Sequence, residues 1–198
     1  MNLIQLRQSM RDQRKKLSVE MISAASASIA KKIISLPEFL NAKHIAFYFS
    51  NENEIDPAEI AHYAQHKNKK IYFPVFDKKQ LLFYFVDQNT RYVKNQFGIF
   101  EPVCEKKDFF PTEKIDLFLI PLVAFDAQCH RVGRGAGCYD RVLASRQKNA
   151  MLIGLAYEFQ KIDRIVPENW DVAMDKIVTE NNIYYHATPT HRPNHTIS

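Results

Sequence analysis

The sequence predicts an α/β domain, a Rossmann-like three-layer fold with a mostly parallel sheet flanked by helices. Three observations carry that expectation. Short runs of continuous apolar character recur at 44–49, 70–75, 115–123 and 151–157, as in parallel strands buried on both faces. Segments of helical period lie before and between them. Three of the five glycines stand at positions 133, 135 and 137, after the 115–123 run and before a helical stretch, the order in which open α/β sheets present ligand loops. At 198 residues one domain with a single core is expected. We set it at 1–185, with a Pro-, Thr- and His-rich tail at 186–198 expected to be disordered.

The first helix is predicted over 2–17. Leu3, Leu6, Met10 and Leu17 fall within about 60° of one another at roughly 100° per residue, and Arg7, Arg11 and Arg14 form a second stripe beside them. That stripe is either a solvated basic face or a set of cations leaning over an anion. Ser18 is the N-cap of the next helix, in which Ile22, Ala25, Ile29, Ile33 and Leu36 repeat at helical spacing until Pro37 ends the run. The strand at 44–49 leads into a loop at 50–56, at the strand end where such sheets bind ligands. Glu54 and Asp56 stand there ahead of a helix starting at Pro57, either as partners of the helix dipole or as ligand contacts. Strands follow at 70–75 and 81–86, joined by a turn at 77–79. Residues 97–102 read as irregular and aromatic. After the 115–123 strand come the glycine loop, a helix at 139–148, a strand at 151–157 and a short last strand at 175–178.

The loop carries the chemistry. Arg131-Val132-Gly133-Arg134-Gly135-Ala136-Gly137-Cys138-Tyr139-Asp140-Arg141 alternates glycine with other residues between arginines. Glycine lets the backbone take positive φ and approach a ligand closely, successive bare N–H groups make an anion-binding concavity, and arginine supplies forked donors to phosphate oxygens. A carboxylate such as Asp140 beside bound phosphates is a magnesium anchor. The run lacks the Gly-Lys-Ser/Thr ending of a P-loop, and its third glycine comes one residue too early for the dinucleotide fingerprint.

Composition narrows the classes further. A net charge of +5 favours anionic ligands, but the aromatics are not interleaved with long basic runs, which argues against nucleic acid. No apolar stretch reaches bilayer-crossing length, so no membrane partner is expected. The N-terminus lacks a signal-peptide core. Cys104, Cys129 and Cys138 are odd in number and lack paired metal spacing, as expected for a reducing, cytoplasmic setting.

With its surroundings, the loop resembles that of the 5-formyltetrahydrofolate cyclo-ligase family, the methenyltetrahydrofolate synthetases. The resemblance rests on Pro121, Phe125-Asp126 and then Arg131 to Arg141 in that order and spacing. It extends to Leu6-Arg7, Arg11, Arg14 and Leu17, Ser50 with Glu54-Ile55-Asp56, Phe73-Pro74, Phe97-Gly98-Ile99 with Glu101-Pro102, and Met174-Asp175. The chain departs from the family at Cys129, often glycine, at Cys138, often a second tyrosine, and at Leu3, where many members carry lysine.

The resemblance implies a fold shared with sugar-phosphate isomerases and CoA transferases, and ATP-dependent closure of 5-formyltetrahydrofolate to 5,10-methenyltetrahydrofolate with release of ADP and phosphate. It implies ATP contacts at Leu3, Ile4, Gln5, Leu6 and Arg7, and at Arg131, Val132, Gly133, Arg134, Gly135, Ala136, Gly137, Cys138, Tyr139 and Arg141. Folate contacts are implied at Asn51, Glu54, Asp56 and Phe97, and at Arg134, Gly135, Ala136, Gly137 and Cys138. Mg2+ falls to Asp140 and Asp175, and catalysis to Arg134, Tyr139 and Asp140. ATP is then a co-substrate, the partners are small molecules alone, and the protein acts as a monomer. Two other readings of the residues stand beside this one: an ATP-independent sugar-phosphate isomerase or CoA-transferase-like enzyme, and a non-catalytic nucleotide- or nucleic-acid-binding module.

Overall fold

The computed structural model describes residues 2–77, 80–105 and 108–187. Residues 78–79 of the turn expected at 77–79, and nearly all of the expected tail, lie outside these residues. The chain opens with α1 (Leu3–Lys15), α2 (Val19–Ser35) and α3 (Pro37–Asn41). Ser18 caps α2 as expected, its Oγ accepting the Met21 N–H at 3.3 Å. Pro37 ends α2 but also begins the short α3, because proline suits the first turn of a helix.

Seven strands form the sheet: β1 (His44–Ala46), β2 (Lys70–Asp77), β3 (Gln80–Val86), β6 (Leu117–Pro121), β9 (Met151–Leu155), β10 (Lys176–Val178) and β11 (Ile183–Tyr185). Helix α4 (Ala58–His66) lies between β1 and β2. The spatial order is β11-β10-β9-β6-β1-β2-β3. The five central strands run parallel, and the two edge strands are antiparallel to their neighbours. From β1 the chain first builds outward to β2 and β3 and then returns to β6 on the other side of β1. Strand order therefore reverses between β1 and β6, the kind of crevice in which open α/β sheets hold ligands.

Side chains of the central strands alternate between two cores, as a pleated strand requires. Ile45, Ile71, Leu117, Leu119, Ile153 and Val178 face α2, α3 and α4. Ala46, Tyr72, Phe118, Ile120, Leu152 and Ile177 face the opposite side, which Leu143 of α5 (Cys138–Leu143) and irregular segments around Cys129 and Met174 cover. The helix expected at 139–148 is thus only six residues long, and the second covering layer is largely loop. Gly154 of β9 points into this thinner layer, where an added Cβ would meet Leu122 Cδ2 at 2.7 Å and Ile177 Cγ1 at 3.2 Å. Gly154→Ala is expected to destabilise the protein by about 1–3 kcal/mol, read as a fall in Tm of roughly 2–10 °C.

Two small hairpins went unread in the sequence. One pairs β4 (Tyr92–Lys94) with β5 (Phe100–Pro102), so the 97–102 segment is part strand. The other pairs β7 (Ala124–Phe125) with β8 (Arg131–Val132) and stands between β6 and the glycine loop. Its turn is organised by the buried Asp126, whose carboxylate accepts the N–H groups of Gln128, His130 and Ile165, each at 3.0 Å, and meets His130 Nδ1 at 3.0 Å. Cys129 in this turn has φ +64°, the left-handed region that glycine occupies most easily. Its side chain is fully buried, and burial pushes the thiol up to about 12. Only thiolates react with disulfide reagents. A thiol titration near pH 8 is therefore expected to count Cys104 and Cys138 in the native protein, and Cys129 only after denaturation.

Candidate active site

A cavity of about 450 Å³ opens at the C-terminal ends of β1, β2 and β6, over the point where strand order reverses. One wall is the glycine loop: Arg131, Gly133, Arg134, Ala136, Gly137, Cys138, Tyr139 and Asp140 all line it. The facing wall is apolar and aromatic, built from Phe49, Pro74, Phe76, Leu81, Phe97 and Ile99. Phe49 stacks on Phe73 at 4.3 Å between centroids, and Phe97 meets Phe76 edge-on at 6.0 Å. Asn51, Glu52 and Glu54, from the loop after β1, lie at the junction of the two walls.

The loop takes its shape from its glycines. Gly135 has φ +107° and Gly137 φ +62°, conformations that side chains resist. Arg7 braces the loop from outside: its Nε donates to the Gly133 carbonyl at 2.9 Å, and its guanidinium carbon lies 3.4 Å from where a Cβ on Gly135 would stand. Arg7 arrives there because α1 docks on the second hairpin, with Leu6 and Met10 packed against Val123, Ala124, Val132 and Ile165.

Two charge clusters fix the polar groups. Glu54 is 5% exposed; its Oε1 accepts from Arg134 Nη2 at 2.9 Å and Nε at 3.2 Å and lies 3.3 Å from Arg14 Nη1. Its Oε2 accepts the Asn51 N–H at 3.2 Å. Glu52 pairs with Arg11 at 3.2 Å and approaches Arg14 at 3.6 Å. Burial opposes the charge on Arg134, but the Glu54 carboxylate outweighs it, and the pKa of Arg134 is raised. Across the loop, Asp140 Oδ1 accepts from Arg131 Nη2 at 2.6 Å, and Arg131 also donates to the Val172 carbonyl. Tyr139 is pushed well above the usual phenol range by burial and, next, by Glu54, which holds it protonated.

Several expected contacts are not brought to the cavity; neither Arg7 nor Gly135 is among the residues that line it. Leu3 and Ile4 are exposed on the outer face of α1, and Leu6 is consumed in docking that helix. Gln5 closes a capping box with Asn2, at 2.8 and 3.3 Å. Val132 packs in the same small core as Leu6. Asp56 caps α4, its Oδ1 accepting the Ala58 N–H at 3.0 Å; of the two alternatives at Glu54 and Asp56, the cavity takes Glu54. Asp175 sits at the N-terminal ends of β9 and β10, where its Oδ2 accepts the Leu152 N–H at 2.8 Å. It therefore tethers two strands, at the opposite end of the sheet from the cavity. Arg141 lines a smaller neighbouring cavity of about 220 Å³ together with Cys138. Arg14, read in the sequence as part of a basic stripe, is buried rather than solvated.

The sequence model of the 5-formyltetrahydrofolate cyclo-ligase family matches residues 3–180. The chain belongs to this family. A 5-formyltetrahydrofolate cyclo-ligase of Haemophilus influenzae is 35% identical over 178 residues, covering 88% of this chain and 95% of its own. That of Escherichia coli K12 is 28% identical over 178 residues, covering 88% and 98%. The NMR structure of Aquifex aeolicus 5,10-methenyltetrahydrofolate synthetase matches with a TM-score of 0.83 and 29% identity, over 99% of this chain and 98% of its own. The synthetase of Mycoplasma pneumoniae matches with a TM-score of 0.74 and 27% identity, over 91% and 99%. The chain is thus an enzyme of the cyclo-ligase class acting on small molecules, and the isomerase, transferase and binding-module readings fall away. Among the described residues no helix is long and apolar enough to cross a membrane.

Proposed function

We propose that this enzyme closes 5-formyltetrahydrofolate to 5,10-methenyltetrahydrofolate at the expense of ATP, with the glycine loop as nucleotide cradle and the Glu54 corner as folate site. The observation that carries the reading is a single cavity joining the glycine loop to an apolar aromatic wall, with Glu54 and Arg134 between them. The formyl carbon on N5 is amide-like and a poor electrophile. Transfer of the terminal phosphoryl group of ATP to the formyl oxygen makes that oxygen a leaving group. N10 then attacks the carbon and gives up its proton, phosphate departs with the carbon–oxygen bond electrons and can carry that proton away, and ADP is released.

Such a reaction needs positioning and charge neutralisation more than a protein nucleophile. In our assignment the loop amides and Arg134 hold the phosphates, with Arg7 bracing the loop from outside. Glu54 accepts N–H donors of the pterin edge. Phe97, with Phe49 and Phe76, forms the wall for the ring. Tyr139, protonated at neutral pH, serves as a hydrogen-bond donor rather than a base.

Magnesium suits Asp140, a carboxylate that lines the cavity next to the glycine loop. Mg2+ is commonly held by one or two carboxylates together with substrate phosphates, so it needs no preformed cluster; among the described residues no group of three or more ligating side chains occurs. Bound there, the ion would neutralise phosphate charge. Asp175, engaged with Leu152, is left out of this assignment. We assign the enzyme to the cytoplasm as a monomer.

The test is direct. Protein mixed with Mg-ATP and 5-formyltetrahydrofolate is expected to produce the methenyl chromophore and ADP in equal amounts. Chromophore without ADP, or neither, rejects the reading.

A further inference from the structure

We propose that Arg14 is a positioning residue for the folate, acting through Glu54. The inference rests on the assignment of Glu54 to the folate and goes beyond it. Two arginines share Glu54 Oε1 and differ in kind. Arg134 stands on the glycine loop with its side chain 35% exposed, whereas the Arg14 side chain is 2% exposed on a docked helix. Arg134 also faces the nucleotide wall, and a guanidinium drawn to phosphate loosens its grip on a carboxylate. Arg14 is buried and cannot follow. It remains as the fixed counter-charge that holds the Glu54 carboxylate in place at the cavity.

Packing alone does not account for Arg14. An apolar side chain of similar length would dock α1 with no charge to desolvate. Instead Nε and Nη1 are buried with no hydrogen-bond partner among the described residues, while Nη1 lies 3.3 Å from Glu54 and Nη2 3.6 Å from Glu52. The same residue also fixes the loop that carries both acids. Its carbonyl accepts from Asn53 Nδ2 at 3.0 Å, next to two consecutive residues, Glu52 and Asn53, held at φ +51° and +57°.

Steady-state kinetics of Arg14→Met, Arg14→Lys and Glu54→Gln, alone and combined, test this. Arg14→Met is expected to raise KM for 5-formyltetrahydrofolate about tenfold, with kcat and KM for ATP within about twofold of wild type. Arg14→Lys, which keeps the charge, should recover most of the loss. In a Glu54→Gln background Arg14→Met should add less than about twofold, because the group it orients is gone. Folate KM unchanged in Arg14→Met, both KM values raised together, or an undiminished effect in the Glu54→Gln background overturns the proposal. If Arg14→Met does not fold, Arg14→Gln decides: a folate-specific rise of severalfold supports the role, and no rise overturns it. An unchanged folate KM in Glu54→Gln itself would instead reject the Glu54 assignment, a different failure.

Discussion

Gly135→Val is expected to raise KM for ATP by about two orders of magnitude while leaving folate binding much less affected. Two effects add. Gly135 sits at φ +107°, where a β-branched residue is strained by about 1–3 kcal/mol; relief of that strain means moving the amides that form the cradle. The new side chain would also start 3.4 Å from the Arg7 guanidinium carbon, so its further carbons displace the brace that Arg7 provides through Gly133. A loss near 2.7 kcal/mol corresponds to about a hundredfold. The loop is exposed at this point, so Tm should move little, and the effect is read in ATP kinetics rather than in folding. Gly135→Ala, strained but smaller, should fall between wild type and valine. An unaltered KM for ATP in both variants would remove the cradle from the account.

Asp140→Asn is expected to lower turnover by about 10²–10³-fold, the scale seen when a charge-stabilising group is lost from a polar transition state, and to abolish the response to added Mg2+. Asparagine is the informative substitution because Asp140 has a second task. Its Oδ1 is 2.6 Å from Nη2 of Arg131, a side chain only 3% exposed. Alanine would strand that guanidinium without a counter-charge, a change that destabilises by about 3–5 kcal/mol, and lost activity would then be confused with lost fold. Asparagine keeps one oxygen acceptor for Arg131. Near-normal, magnesium-dependent turnover in a folded Asp140→Asn enzyme would withdraw the metal assignment; inactivity in alanine alone would trace the effect to Arg131.

Much of the site was legible because its demands are local. Glycines at alternate positions announce backbone that other residues resist, and Gly135 and Gly137 do adopt positive φ. Helical period located α1 and α2, and continuous apolar runs located β2, β6 and β9. Segments with too few residues to display a period were missed, namely the two hairpins and β11. The apolar wall was missed for another reason. Phe49 and Phe76 look like ordinary core aromatics in the sequence, and only the return of β3 against β2 and the packing of the first hairpin make them face the loop.

The charged residues divide the same way. Glu54 and Asp56 were equivalent on paper, but Glu54 closes the turn after β1 beneath the arginines, whereas Asp56, two residues on, accepts the first N–H of α4. Arg7, Arg11 and Arg14 share a helical stripe, yet one braces the glycine loop, one meets Glu52 and one is buried against Glu54. By itself the sequence determined the fold class, the glycine loop and the family, because periodicity, turn conformation and motif order reside in neighbouring residues. Only the tertiary structure decided which charges meet and which aromatic groups line the cavity, because those contacts join segments tens of residues apart and depend on strand order.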